Sequence, residues 1–313
     1  MQLRYDENLV EAAVFLWARA QPGGPPAAQR FRFHREREKL YVILDPEERN
    51  AAFFKLHLDW FREWGLEKLL TQPAREFQLL SARLDVLAYR QAQRKNEEGA
   101  ELYVNRAEER TGIIAIQPQT LRQKNFDGFL LHELAHLNDM LDPQFDYSPE
   151  LLIPTVSMSQ QRLARERYRL LWAISIDGRL TRANKPTVAT ETERRAEFGR
   201  VFGFWPEAKR TEVFDGLWNN PAPNHNRFRD LVGDTLRLQT CEGPRPGSPC
   251  PLCGFPTFIW AGGPELSRFV SMIQAEFADW TLPQGACSRC LATFRVRRQA
   301  LLQPVVAQSL ISL

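Results

Sequence analysis

No run in this sequence approaches the roughly 20 consecutive apolar residues that a membrane-spanning helix needs, so a helical membrane protein is excluded and no membrane partner is expected. Charge of one sign is also lacking. Lys and Arg total 41 against 38 Asp and Glu, a formal net charge of +3, so the chain as a whole has no field that would gather nucleic acid. Any basic patch is local. The basic opening of a secretion signal is missing too: Asp6, Glu7 and Glu11 precede a short apolar patch at 12–18, and a cytoplasmic protein is expected. Cysteine is scarce, five in 313 residues, which speaks against a disulfide framework. Four of the five nevertheless fall into two CxxC pairs, with Cys241 left over, and that spacing points to metal thiolates. The 43% hydrophobic content is enough for one medium core with a small appendage.

What the chain does have is a chemical helix at 126–142, carrying Leu131-His132-Glu133-Leu134-Ala135-His136-Leu137. Phe126, Leu130, Leu134, Leu137 and Leu141 recur at helical spacing and form one apolar stripe, with His132 roughly opposite Leu130. His132 and His136 are one turn apart, so both imidazoles project the same way and can hold a single zinc ion. Glu133 is then placed to act as general base on a water polarised by that metal. The bland alternative is that these three residues decorate an exposed helix face.

This HExxH stretch resembles the zincin metallopeptidases, and the string His-Glu-Leu-Ala-His with a downstream cysteine ribbon looks like the SprT-like group. The resemblance covers one helix, the strands before it and the C-terminal knuckles. No third histidine follows His136 within a few turns, the next being His225. It implies a strand order leading into the metal helix, with residues 112–118 as the rim of a substrate cleft.

Upstream of that helix the pattern gives a short helix at 7–20, a breaker run at 22–26, a strand at 40–44 and a long helix at 46–70. His57 lies on the last of these among aromatics and reads as a core or boundary residue. Three strands are expected at 84–90, 101–105 and 112–116. Downstream, 159–180 is helical, and Asp177 projects from its apolar stripe, where an unpaired carboxylate is costly. That cost asks for a cation, either an arginine or zinc. In gluzincins, which the site also resembles, an acidic residue on such a helix is the third ligand, and Asp177 fits by topology. The gluzincin pattern has a glutamate four residues before its aspartate; position 173 here is alanine. Asp177 is therefore read as third ligand or as orienter of a histidine. Asp142 is the alternative third ligand, Glu197 a weaker one with a surface salt bridge as its bland reading, and His225 is read as a surface residue.

Composition changes at 241–251, which is dense in Gly and Pro. Cys250-Pro251-Leu252-Cys253-Gly254 and Cys287-Ser288-Arg289-Cys290 resemble the knuckles of a zinc ribbon, with an amphipathic helix at 264–280 inserted and ribbon strands at 255–260 and 291–296. A redox dithiol or an iron site is the alternative. Arg295, Arg297 and Arg298 with nearby aromatics offer a nucleic-acid contact or a solvated edge. The apolar tail at 301–313 is expected to dock as a helix.

Together these readings give an α+β protein: an N-terminal segment at 1–45, a zincin-like metallohydrolase domain at 46–240 with a mixed sheet, and a zinc-ribbon-like domain at 241–313. The expected function is a zinc metallopeptidase with one catalytic and one structural zinc, acting on a protein or peptide. The alternative is a zinc-binding regulatory or nucleic-acid-binding protein with a structural or degenerate HExxH site.

Overall fold

A computed structural model describes residues 1–20, 23–149, 158–241, 244, 247–261 and 263–302. The chain opens with a strand, β1 (Gln2–Tyr5), followed by α1 (Glu7–Ala18), α2 (Ala27–Glu38), α3 (Pro46–Glu63), α4 (Leu66–Ala74) and α5 (Gln78–Arg83). Strands β2 (Val86–Gln91), β3 (Gly99–Val104) and β4 (Arg110–Ile116) come next, then α6 (Phe126–Leu141) and the long α7 (Met158–Arg182). Three helices follow, α8 (Glu191–Val201), α9 (Glu207–Trp218) and α10 (His225–Cys241). The C-terminal part holds the two-residue strands β5 (Ser248–Pro249) and β6 (Pro256–Thr257) and helices α11 (Gly263–Leu266), α12 (Val270–Glu276) and α13 (Ser288–Leu302).

Contacts divide the chain into two compact units that are not contiguous in sequence. One comprises Met1–Ser148, Ala173–Arg194 and Gly216–His225; the other comprises Pro149–Trp172, Arg195–Asp215 and Asn226–Leu313.

The first unit is built on a four-stranded mixed sheet in the order β1-β2-β4-β3. β1 and β4 run parallel to β2, and β3 pairs antiparallel with β4, Ala100 opposite Ile114 and Leu102 opposite Gly112. Side chains two apart share a face, so Leu87 and Tyr89 of β2 and Ile114 and Ile116 of β4 line one core surface. The stripe of α6 joins the same core, with Leu130, Leu134 and Leu137 all fully buried. Gly112 brings β4 close to this helix: a Cβ there would sit 3.1 Å from Leu137 Cδ1. Asp6 ties the N-terminus in, one carboxylate oxygen capping α1 at Asn8 N and the other accepting from Gln91 N at the end of β2.

Several expectations change in this unit. Residues 40–44 are not a strand: Lys39–Val42 is a 3-10 turn continuing from α2, and Val42 and Leu44 stay exposed. The first strand is β1 instead. The expected helix at 46–70 is two helices, because Gly65 takes φ 77°, a left-handed conformation that ends α3 and redirects the chain into α4. Asp45 caps α3 at Glu48 N (2.7 Å), with Pro46 in its first turn. Within the segment 112–118, expected as a cleft rim, β4 is an inner strand paired on both sides through Ile116 and has no edge to offer a peptide; β3 is the edge strand next to it. His225 is not a surface residue. It opens α10, is 2% exposed and lies against the Phe145 and Tyr147 rings.

In the second unit, Leu266, Phe269, Ile273, Trp280, Ala286, Leu291 and Phe294 form a small core. Leu291 and Phe294 are three residues apart and both buried, the spacing of a helix face, and 291–296 belongs to α13 instead of a ribbon strand. The expected helix at 264–280 is broken into α11, a 3-10 turn and α12. Residues 303–313, and with them most of the apolar tail, lie outside the described residues. Among the described residues, no helix is long and apolar enough to cross a membrane.

Candidate functional site

Two groups of chemically capable side chains stand out, one on α6 in the first unit and one at the C-terminal knuckles. On α6, the ring centroids of His132 and His136 are 4.9 Å apart with the planes 72° to each other. His132 is 5% exposed, and its Nδ1 lies 2.9 Å from Asp177 Oδ1 on α7. The other Asp177 oxygen accepts from Arg194 Nε on α8 at 2.7 Å. Asp177 is fully buried, so the cation its position demands is supplied inside the protein by Arg194, with His132 on the opposite oxygen. Burial pushes the Asp177 carboxyl up; the hydrogen bond and charge of His132, followed by Arg194, outweigh that and hold it below the ordinary carboxylate range.

Glu133 faces the start of β3, where a Cβ on Gly99 would stand 3.6 Å from its Oε2. Burial is the main influence on its carboxyl and pushes it above the ordinary range. His132 and the Ala100 backbone N–H pull it back, while Glu98 and Asp177 add to the rise. Glu98 is itself fixed, accepting from Gln117 N at 2.9 Å and Thr120 Oγ1 at 2.6 Å. The HExxH residues thus sit beside an edge strand, with the Glu133 carboxyl raised by its burial.

The remaining acids are placed differently. Asp142 caps the end of α6, its Oδ1 accepting from Gln144 N at 2.9 Å. It follows His136 by six residues, about 9 Å along a helix. Asp139 is paired bidentately with Arg179, at 2.8 and 2.5 Å. Glu197 is part of α8 in the second unit. Ala173 lies on α7 one turn before Asp177 and on the same face. Sequence reasoning singled out neither Arg194 nor the Ala100 amide. The signal for Arg194 was the buried Asp177 carboxylate, which required an arginine or a metal without saying which arginine.

The second group is Cys250, Cys253, Cys287 and Cys290, whose sulfur atoms all lie within 4.8 Å of one another. Cys250 and Cys290 are 3.9 Å apart and Cys253 and Cys287 3.8 Å apart. Thiolates at about 2.3 Å around one tetrahedral ion would be about 3.8 Å from each other, so the four could hold one metal ion. The knuckle amides support the sulfurs: Cys287 N donates to Cys250 Sγ at 3.2 Å and Cys290 N to Cys287 Sγ at 3.3 Å. The Cys250 thiol is lowered to about 5, chiefly by its hydrogen bond with Cys290, and Cys290 is pushed up by the same contact. Gly254 has φ 73°, letting the first knuckle close with Gly254 N donating to Cys250 O at 2.8 Å. Among the described residues these four cysteines are the only group of three or more potential ligands brought together in this way. Nearby, Arg295 is paired with Glu265 and Arg297 with Glu276, so two of the three arginines of the basic edge are neutralised within the module.

The two sites belong to a mixed α/β protein with a small mixed sheet and a C-terminal four-cysteine group able to hold a metal. No protein-family model matches the chain, and neither a curated protein nor a solved structure matches it.

Proposed function

We propose that this protein is a zinc-dependent hydrolase of peptide bonds, with His132 and His136 as metal ligands, Glu133 as general base and the four cysteines as a separate structural zinc site. The observation that carries the reading is the relay Arg194–Asp177–His132. An ionised Asp177 takes the Nδ1 proton of His132 as a hydrogen bond, which commits Nε2 to be the unprotonated, ligating nitrogen. Such a buried relay does nothing for a histidine that merely decorates a surface. The residues present therefore fit a divalent metal held by two imidazoles one turn apart.

Zinc bound there would supply Lewis acidity toward water and toward a carbonyl oxygen. The chain's own residues do the rest. Glu133 takes the proton of the attacking water at its carboxylate and returns it to the leaving nitrogen as the C–N bond breaks. β3, an edge strand of the sheet running beside Glu133, can pair with an extended peptide and present its carbonyl to that carboxylate. Asp177 and Arg194 hold the tautomer of His132 throughout. The zincin resemblance of the HExxH helix, and the antiparallel edge strand next to it, support the same reading.

The test is turnover of a mixed peptide library by zinc-loaded wild type and Glu133→Gln. The expected result is cleavage by wild type and a loss of about 10²-fold or more in the variant, with its zinc content unchanged. Equal turnover by both proteins would overturn the mechanism.

A further inference from the structure

We infer that the second unit carries a binding pocket of its own, suited to a small apolar molecule that bears one carboxylate. The pocket is separate from the α6 site, since every residue that lines it belongs to the second unit.

The cavity has a volume of about 670 Å³, within the range of roughly 300–1,000 Å³ in which proteins hold small molecules. Three stretches of chain enclose it. α7 supplies Leu163 and Leu170, the end of α8 and the turn after it supply Val201 and Phe204, and the hairpin of the first knuckle supplies Pro249 and Phe258. These walls are apolar, and they are braced. The Arg167 guanidinium, on a residue 2% exposed, lies 4.8 Å from the centre of the Phe204 ring. Gly247 N donates to Thr257 O at 2.7 Å and Cys250 N to Phe255 O at 2.9 Å, which closes the hairpin that carries Phe258.

Phe258 lines the cavity and yet is 77% exposed. Its ring lies against Gly247, where a Cβ would stand 3.3 Å from Phe258 Cε1, and Gly247 takes φ 84°, a left-handed turn that favours glycine. A ligand lying on this ring takes its apolar surface out of water.

Charge narrows the class of ligand. Glu166, Arg167, Glu197 and Arg200 also line the cavity. Glu166 is paired with Arg162 at 3.3 Å, and Arg167 and Glu197 have further partners within the chain. Arg200 is exposed and, among the described residues, stands in no ion pair. A carboxylate placed at its guanidinium gains a charge-assisted contact, whereas an ammonium group would meet a like charge. A phosphate ester would bring further charge against an apolar wall. One negative charge on an apolar body describes a medium-chain carboxylic acid.

Decanoate is titrated into the full-length protein by isothermal calorimetry, with decan-1-ol as its uncharged counterpart. The expected result is saturable binding of decanoate at a single site, with decan-1-ol weaker by about tenfold or more. Arg200→Gln should weaken decanoate by about tenfold and leave decan-1-ol as it was. Phe258→Ser should weaken both by about fivefold or more. Both side chains are exposed, so neither substitution should alter the fold, and an unchanged melting curve checks this.

Absence of saturable decanoate binding, or binding that neither variant changes, would overturn the inference. Decan-1-ol binding as tightly as decanoate would overturn it as well, because the carboxylate would then have no counterpart in the pocket.

Discussion

His132 Nδ1 and Asp177 Oδ1 stand 2.9 Å apart although 45 residues separate them, and both side chains are almost wholly buried. This pair joins α6 to α7 and fixes which nitrogen of the first HExxH histidine faces outward. Asp177→Asn keeps the size of the side chain but puts an amide where an ionised acceptor stood, so the His132 tautomer is no longer imposed. Affinity for zinc at the proposed α6 site should fall by about 10–100-fold, read by chelator competition, while metal binding by the four cysteines should not change.

Arg194→Gln removes the charge partner of a fully buried carboxylate that keeps only the histidine. The loss should be on the order of 3 kcal/mol in unfolding free energy, measured by urea titration. Arg195→Gln, whose exposed pair with Asp215 is 42% and 46% accessible, should change stability by well under about 1 kcal/mol.

Gly178 follows Asp177 directly and packs on the backbone of Trp218, so that a Cβ at this position would collide with the Trp218 carbonyl. Backbone cannot step aside as a side chain can. Gly178→Ala should lower the melting temperature by several degrees, corresponding to about 1–3 kcal/mol. An unchanged melting curve would show that α7 and Trp218 are not in this contact.

His57 is 2% exposed among the rings of Phe15, Phe33 and Phe53, and its Nε2 has no hydrogen-bond partner. Burial lowers its proton affinity, with Arg37 acting in the same direction and Glu11 against it. A base depressed in the folded state binds its proton first in the unfolded state. Stability is therefore unaffected well above about pH 6.5 and declines as pH falls from there toward the lower folded value. His57→Phe should flatten the melting temperature between pH 7 and pH 5 relative to wild type.

Cys250→Ser leaves three thiolates in the group that could hold a metal. The variant should lose metal binding there and, as expected of a small module folded around a metal, expose residues 247–302 to limited proteolysis. The segment 1–148 should remain resistant, since its core is separate.

The sequence by itself determined the local features. The apolar stripe of α6, the placement of His132 and His136 side by side on it, and the approach of the two CxxC pairs follow from spacing that a helix or a knuckle translates directly into geometry. The burial of Asp177 was legible for the same reason. What tertiary structure decided was everything set by partners distant in sequence. β1 is a four-residue segment that becomes a strand only by pairing with β2, more than eighty residues on, whereas the more strand-like 40–44 finds no partner and stays a turn. The edge position of β3 depends on strand order, which no run of side chains encodes. Residues 291–296 alternate well enough for a strand, but the small core they join takes Leu291 and Phe294 from one face of a helix. Likewise only the fold chose Arg194 from among 41 basic side chains to hold Asp177, because a buried charge selects whichever cation the packed helices deliver to it.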